Sequence, residues 1–475
     1  MFNAITKAAK TLLSYDVTGY DAVNPKSKRR NSGYDVKSSD SLLDDQDRRK
    51  MMESGRDLWR NFSAASWAIR KHLDYVASFN FHPKTGDARL DADLEALMEM
   101  WSRRGNCEIM GKHSFRQFIR LLETRRIIDG DVFVIKLQDG RVQGLEADRI
   151  RNPWAPILDM GNGFKKVHGI TINSSAQPLA YSLWNKTPQH HYNYDRELRA
   201  ENIYHLGYFD SFDQIRGVSP LAAAIAPFHD ILEVTEYARL KAKVSQLFAL
   251  TISRDSPDFA EDYDTPGYDL KNFGKGPIML DLDPGDKAEF LESRTPSTEF
   301  QDFMKMSLDV ALKALDLDWS MFDSSHTNYS GSRIALLQYR KSCVAKQEGL
   351  KDLLYHITNW KIQQWISTGA LRLPRGWRLP RVKYEWIPDG IPWFDPSKEL
   401  RADIDAINAG LKTHAEIRRE RYGDDWYQVA EALAKEQQYK QELGLTSSSV
   451  PEPAVSAPVV DGEDEDDQEE TQNDE

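Results

Sequence analysis

The sequence predicts an α+β protein that is mainly helical and carries short antiparallel strands. Apolar residues recur at spacings of three, four and seven in several long segments, which is the period of helices. A β-branched run, DVFVIKL at 131–137, ends at the turn Gln138-Asp139-Gly140, and a partner strand is predicted at 141–146. From Ser332 to Thr368 there is no proline and one glycine, which favours a single long helix.

Composition limits the class of protein. The 475 residues are 40% hydrophobic and 29% charged, as in folded globular proteins of two or three domains or one elongated subunit. Apolar runs are far shorter than the ~20 residues of a membrane helix, and the N-terminus lacks the apolar core of a signal peptide. Cys107 and Cys343 are too few for a disulfide scaffold, and we expect both to be buried thiols.

The net charge of −12 is concentrated at the C-terminus. Residues 446–475 contain eleven Asp and Glu and no Lys or Arg, so residues 1–445 carry a net charge near −1. Proteins that hold DNA statically are usually clearly basic, because their affinity comes from neutralising phosphates. The composition therefore argues against a static DNA-binding protein, although a local basic patch stays possible.

In the first half of the chain, the sequence pattern predicts helices followed by strands. Residues 1–45 are rich in Lys, Arg, Ser and Asn, and we expect a flexible arm that is either a solvated tail or a basic contact to nucleic acid or an acidic partner. A helical pattern follows over 44–80. Further helices are predicted at 90–101 and 114–122, the second with Ser114 as N-cap. Short strands are predicted at 166–172, 178–184 and 202–205.

The second half is predicted to be largely helical. Ser219-Pro220 is a helix start, and the pattern continues to about residue 250 with Pro227 inside it. A strand is predicted at 278–282, a helix at 300–315 and a stop at Gly369 after the long helix. The run VKYEW (382–386) resembles a strand. Helices are then predicted at 396–410, 413–421 and 427–442, before a disordered acidic tail at 446–475.

The sequence shows no catalytic constellation. There is no phosphate-binding loop, HExxH, GxSxG or CxxC motif, and we expect no cofactor and no metal. His190 and His191 are adjacent, which is not the spacing of metal ligands. Asp129 and Asp131 flank Gly130, and this pattern indicates turn chemistry more than a two-metal nuclease. The chain is therefore predicted to be a structural or interaction protein and not an enzyme.

Several segments, in order, resemble the lambda-type portal proteins of tailed bacteriophages, which are head–tail connectors. The similar segments are RDLWRNFSAASWAIR (56–70), LEADRI (145–150), YHLGYFDSFDQIRGVSPLAAAI (204–225), LDPGDKAEFLESRTPSTEFQDF (282–303), DSSHTNYSGSRIALLQYRK (323–341), PWFDPSKELRADIDAINAGL (392–411) and YGDDWYQV (422–429). Each segment alone is weak, but the ordered series covers residues from about 50 to about 445.

The resemblance implies a homo-oligomeric ring of about twelve subunits at a unique capsid vertex of the virion. Double-stranded DNA would be packaged through its channel by the terminase large subunit and later ejected, without sequence recognition. The other implied partners are the major capsid protein and head–tail adaptor or completion proteins, with no membrane. Assembly is expected in the host cytoplasm.

The resemblance also implies regions and residues. The implied regions are an arm (1–45), a wing (46–215), stem helices (216–250 and 300–320), a clip (251–299), a tunnel loop with the long helix (321–370), C-terminal wing and crown helices (371–445) and the acidic tail (446–475). Residues expected to face DNA are Ser324, Ser325, His326, Thr327 and Asn328. Residues expected to have structural roles in the family motifs are Arg216, Gly217, Asn328, Tyr329, Ser330, Arg333, Asp395, Pro396, Lys398 and Glu399.

Two other functions are weaker interpretations of the sequence. A DNA-processing enzyme of the packaging machinery, either a motor or a nuclease, is disfavoured by the missing phosphate loop. A head–tail adaptor is disfavoured by the length of the chain.

Overall fold

The computed structural model describes residues 40, 43–152, 157–161, 163–189, 191–247, 250–254, 286–290, 298–323, 325, 329–390 and 395–445. The chain divides into two compact units, Met1–Pro388 and Asp389–Glu475. Helices predominate in the described residues, and all paired strands there are antiparallel, which confirms the predicted fold class. None of the described helices is long and apolar enough to cross a membrane.

The first described elements are two consecutive helices, α1 (Asp45–Asn61) and α2 (Ser63–Val76). The carboxylate of Asp44 caps α1 by accepting two backbone N–H bonds. The helical prediction over 44–80 is wrong in two places. The chain breaks at Phe62, which has extended backbone angles, and Phe79–Pro83 forms strand β1. The partner of β1 lies about 300 residues away, so local periodicity could not show it.

The predicted hairpin is confirmed at the centre of the first unit. Helix α3 (Ala88–Ser102) precedes α4 (Phe115–Asp129), which starts at a capping box made by Ser114 and Gln117. Strands β2 (Asp131–Lys136) and β3 (Val142–Glu146) then pair through the predicted turn.

A second sheet follows the hairpin. It is a five-stranded antiparallel meander in chain order, formed by β4 (Ile157–Gly161), β5 (Phe164–Val167), β6 (Ile170–Ile172), β7 (Pro178–Lys186) and β8 (Tyr192–Arg199). The prediction of one strand at 166–172 is wrong, because a turn at His168 and Gly169, both with positive φ, divides it into β5 and β6. Strands β4 and β8 were not predicted; the YNYDRELR sequence of β8 is polar and its side chains are mostly exposed at the sheet edge. Strand β9 (Ile203–Gly207) returns to the first sheet, whose order is β3-β2-β9.

Two helices, α5 (Ala222–Leu247) and α6 (Thr298–Leu312), follow the first sheet in the chain. Helix α5 contains Pro227 and begins three residues after Ser219, the predicted start. It contacts α6. Between them, β10 (Leu250–Arg254) pairs with β11 (Asp286–Phe290). The strand predicted at 278–282 lies outside the described residues.

The long helix is confirmed as one element. After the one-turn helix α7 (Trp319–Phe322), α8 runs from Tyr329 to Thr368, which is 40 residues and about 60 Å. Gly369 follows it with φ +73°, the left-handed conformation predicted for the stop. Strand β12 (Tyr384–Pro388) then pairs with β1. The second unit holds α9 (Pro396–Asn408), α10 (His414–Tyr422) and α11 (Trp426–Glu442), close to the predicted bounds.

The first unit has two hydrophobic cores. The larger one is formed by the helices and includes Leu353, Leu354 and Ile357 of α8. The smaller one lies between the two sheets and includes Phe133 of β2 and Tyr181 of β7. The cysteine prediction is confirmed, since Cys107 and Cys343 are both buried free thiols.

Candidate functional site

The turn Asp129-Gly130-Asp131 between α4 and β2 is the electrostatic centre of the first unit. Asp131 is fully buried. Its carboxylate accepts hydrogen bonds from Arg48 Nη2 at 2.9 Å, from Arg216 Nε at 2.7 Å and from the backbone N–H of Gly217 at 3.1 Å. His205 Nε2 lies 3.0 Å from the same carboxylate. One aspartate thus joins α1, β9 and the segment that leads into α5.

The charge of Asp131 is set by its two arginines. Burial alone would raise its pKa, but the guanidiniums of Arg216 and Arg48 hold the pKa well below its usual range. Burial lowers the pKa of Arg48 to about 10, and the nearby charge of Arg216 adds to this effect. Burial also lowers the pKa of His205, so its ring is neutral at neutral pH. The buried carboxylate of Asp131 is therefore ionised, and the two arginines largely compensate its negative charge.

Arg216 and Gly217, two residues of the QIRGVS motif, lie in this cluster. The side chain of Arg216 is 2% exposed, and it also donates to the carbonyl oxygens of Ala147, Ile150 and His168. Gln214 closes the preceding loop by donating to the carbonyls of Tyr208 and Arg216. These contacts connect the inter-sheet region to the start of α5.

Asp129 belongs to a different ion cluster. Arg56 donates to both of its oxygens at 2.7 Å and to Asp148 at 3.0 Å, and Tyr192 donates to the other oxygen of Asp148. Guanidinium groups supply the positive charge at both Asp129 and Asp131. Within the described part of the chain, no group of three or more His, Cys, Asp or Glu is arranged to hold a metal ion. Arginines therefore compensate the carboxylates of both Asp129 and Asp131.

A third buried cluster connects α4 to the long helix. Glu123 accepts hydrogen bonds from Arg126 Nη2 at 3.0 Å and from the Tyr208 hydroxyl at 2.8 Å, and His72 Nε2 lies 3.2 Å away. Arg126 also donates to the backbone carbonyl of Lys346 on α8 at 3.2 Å. Burial opposes ionisation of Glu123, but Arg126 and His72 lower its pKa to about 2.

The predicted DNA-facing loop lies directly before α8. Asp318 caps the short helix α7, and Phe322 at its end packs edge-on against Trp67 of α2, with ring centroids 5.0 Å apart. Asp323 accepts from both the backbone N–H and the hydroxyl of Ser325. Ser325 is exposed. Ser324, His326, Thr327 and Asn328 lie outside the described residues.

The remaining motif residues lie at helix starts. Tyr329, Ser330 and Arg333 are in the first two turns of α8, where Ser330 and Arg333 are exposed. In the second unit, Asp395 caps α9 by accepting from the backbone N–H of Lys398, and Pro396 is the first helical residue.

Comparison with known proteins identifies the family. Residues 27–347, more than half of the chain, match the family described as phage portal protein, lambda family. The chain belongs to this family. It is 26% identical over 394 residues to a "Probable portal protein" of Halomonas phage phiHAP-1, an alignment that covers 74% of this chain and 72% of that protein.

Solved structures also resemble this portal-family chain. One is from the virion of a native gene transfer agent particle, with 14% identity, a TM-score of 0.45 and coverage of 78% of this chain and 92% of that one. Another is from the neck of the native particle computed with C12 symmetry, with 14% identity, a TM-score of 0.45 and coverage of 79% and 93%.

The family resemblance inferred from the sequence is thus confirmed, but sequence reasoning missed most of the buried ion network. Arg48, Arg56, Arg126 and Glu123 were not singled out, because isolated charges on helices are usually solvated. One available signal was the position of Arg48, which precedes the buried residues Met52, Gly55 and Leu58 of α1 at helical spacing and so lies on the same buried face.

Proposed function

We propose that this portal-family chain forms a ring of about twelve copies at one capsid vertex of a phage. Double-stranded DNA is pumped inward through the channel by the terminase large subunit and leaves through it at infection. The ring also joins the capsid protein to head–tail adaptor proteins. The single observation that carries the proposal is the family match over residues 27–347.

The charge distribution is compatible with a sliding channel. Residues 1–445 are nearly neutral, and strong phosphate pairing would hold DNA in place. The buried arginines described above are committed to carboxylates and carbonyls inside the fold. We therefore assign Arg216 a structural role. We assign a structural role to Arg333 as well, because it lies in the family-motif segment 323–341.

We further propose the regional division implied by the family. The wing spans 46–215, with α1 to α4 and both larger sheets, and the stem consists of α5 and α6. The strand pair β10–β11 lies in the proposed clip (251–299). The tunnel loop precedes α8, and the helices α9 to α11 belong to the C-terminal wing and crown.

The mass and projected shape of the purified protein test the ring. Twelve copies of a 54.5 kDa chain have a mass of about 650 kDa, measurable by light scattering, and negative-stain images should show a central hole. A stable monomer that stays monomeric when capsid protein is added would contradict the proposal. DNA and ATP left intact with Mg²⁺ or Mn²⁺ would remove the packaging-enzyme alternative.

The channel loop is tested by a site-specific crosslink. Ser325→Cys introduces an exposed thiol, whereas the native Cys107 and Cys343 are buried. A photoactivatable maleimide at this position should crosslink DNA in particles stalled during packaging. Ser174→Cys, an exposed position in the proposed wing, is the matched control. Crosslinks at the control and none at the loop would refute the assignment.

The structural role of Arg333 has its own test. Arg333→Ala is expected to impair ring formation, measured as the fraction of protein at ring mass. Intact rings that no longer package DNA would show that this residue acts on DNA instead.

A further inference from the structure

A basic cleft lies between helix α1 and the elements at one edge of the five-stranded sheet. It encloses about 510 Å³ and is lined by six cationic side chains and three carboxylates. Helix α1 contributes Arg49, Arg56 and Arg60 on one face, and the opposite wall contributes Arg151 and Lys186. A concave site with this excess of cations is suited to an anionic ligand.

Part of this positive charge forms no salt bridge among the residues that the structure describes. Arg56 forms salt bridges with Asp129 and Asp148, and Arg49 forms one with Asp45. Arg60, Arg151 and Lys186 form no ion pair with any carboxylate in the described portions of the chain. Three cations in the cleft therefore form no salt bridge among the described residues, although the carboxylates of Asp45, Glu53 and Asp148 belong to the same lining.

The cleft cations are positioned by an aromatic ring. The guanidinium of Arg151 lies 4.2 Å from the centroid of the Tyr192 ring, and Lys186 Nζ lies 5.9 Å from it. The Tyr192 hydroxyl donates to Asp148, which fixes the ring. Burial lowers the pKa of Arg151 and the charge of Arg49 lowers it further, while the carboxylates of Asp45 and Asp148 partly oppose this shift. Mutual repulsion of this kind marks a place where an added anion is stabilised.

The chain itself contains a suitable anion. Residues 446–475 carry eleven carboxylate side chains and no Lys or Arg, and eight of the eleven lie within residues 461–470. Arginine and carboxylate groups form two-pronged hydrogen bonds of matched geometry. The segment is present in a one-to-one ratio with the cleft, and its attachment to the same protein raises its effective concentration.

We propose that the basic cleft binds the carboxylate-rich segment 446–475 of this chain. The cleft is a single concave site of limited volume. A duplex DNA site would need a basic stripe that follows the phosphate backbone over a greater length. The chemistry and the stoichiometry therefore favour an acidic peptide segment over nucleic acid.

The primary test measures peptide binding to full-length protein. The host is a variant in which the eleven carboxylates of 446–475 are changed to Asn or Gln, so that the site is vacated. A fluorescent peptide of sequence 446–475 should bind this host at low salt and bind wild-type protein more weakly, because the native segment competes. Adding Arg60→Gln, Arg151→Gln and Lys186→Gln to the host should weaken binding about tenfold, as expected for three partly exposed ion pairs.

The matched control removes three exposed cations elsewhere. Arg89→Gln, Arg104→Gln and Lys112→Gln in the same host should leave peptide affinity unchanged. Equal weakening in the cleft and control variants would show nonspecific charge attraction and overturn the proposal. Tighter binding of duplex DNA than of peptide, lost on substitution of the cleft, would identify a nucleic-acid site and also overturn it.

Hydrogen exchange provides a second readout that needs no cleft substitution. Amides of 147–151 and 186–192 should exchange more slowly in wild-type protein than in the charge-neutralised variant, and high salt should remove the difference. Identical exchange in the two proteins at low salt would contradict occupation of the cleft by the native segment.

Discussion

Gly130 and Gly217 approach each other so closely that neither position has room for a β-carbon. A Cβ at Gly217 would lie 2.3 Å from the carbonyl oxygen of Gly130, and a Cβ at Gly130 would lie 2.6 Å from that of Gly217. Asp131, the next residue, binds the Gly217 N–H. The glycine in the QIRGVS motif is thus explained by a close backbone approach to the turn after α4.

Gly130→Ala should destabilise the protein by more than a positive φ alone explains. Gly130 has φ +94°, and an alanine there costs about 1–2 kcal/mol in strain. The clash with backbone atoms adds about 1–3 kcal/mol. Gly86→Ala is the control, because Gly86 has φ +84° but nothing within 4 Å of an added Cβ. Equal losses in urea unfolding of the two variants would show that the close approach does not matter.

Asp131→Asn should be among the most damaging single substitutions in the first unit. It leaves Arg48 and Arg216 buried beside each other without a compensating charge, a loss of about 3–5 kcal/mol. Asp139→Asn removes a carboxylate that is 45% exposed and paired with Arg141 in the hairpin turn, and it should cost less than about 1 kcal/mol. Thermal melts of the two variants make the comparison. Similar melting temperatures would refute a central role for Asp131.

His356→Phe should flatten the pH dependence of stability in weak acid. Burial and then the charge of Lys136 lower the pKa of His356 below 6.5 in the folded protein. As the pH falls below about 6.5, the unfolded chain binds the proton first, so this histidine lowers stability progressively until its folded pKa is reached.

The check is urea unfolding of wild-type and His356→Phe protein at pH 8 and pH 5.5. The phenyl ring can keep the contact with Tyr204, whose centroid lies 5.1 Å from the imidazole. Other buried histidines, including His72 and His205, titrate in both proteins, so the difference isolates His356. The same loss of free energy of unfolding in both proteins on acidification would contradict the prediction.

Local sequence signals predicted the helices well and the strand partners poorly. The N-cap at Ser114, the stop at Gly369 and the proline start at Pro396 are short-range rules that act wherever they occur. Strand β1 depends on Tyr384–Pro388 for its identity, and the polar edge strand β8 lacks an apolar alternation. Pairing between strands that are far apart in sequence is decided by tertiary packing. A short stretch of sequence carries no information about that packing.

The same difference between local and long-range signals applies to the residues of the candidate site. Arg216 and Gly217 were singled out through their motif, and the structure places them in one buried cluster. The sequence around their partner Asp131 predicts only a turn, and no local pattern predicts the contact of Arg48, because a helix surface gives no sign of what lies opposite. The predicted loop residue Ser325 is exposed before α8, and its proposed contact with DNA depends on an assembly that one chain cannot specify.

Arg421→Met should loosen the first two helices of the second unit. Arg421 on α10 donates to Glu399 at 2.9 Å and to Asp403 at 3.1 Å, and both carboxylates on α9 are nearly buried. Glu399 is one of the family-motif residues, and this contact supports a structural role for it. Without the guanidinium, two neighbouring carboxylates lose a shared cation, at a cost of about 2–3 kcal/mol after allowance for the partial exposure of Arg421.

Arg418→Met is the matched control for this prediction, because Arg418 lies on the same helix and its partner Asp424 is about one-third exposed. The control should cost less than about 1 kcal/mol. Amide hydrogen exchange over 396–422 measures both variants directly within this unit. Faster exchange only in Arg421→Met is expected, since methionine keeps the apolar stem and removes the charge. If both variants exchanged like wild-type protein, the α9–α10 contact would rest on apolar packing and not on the shared arginine.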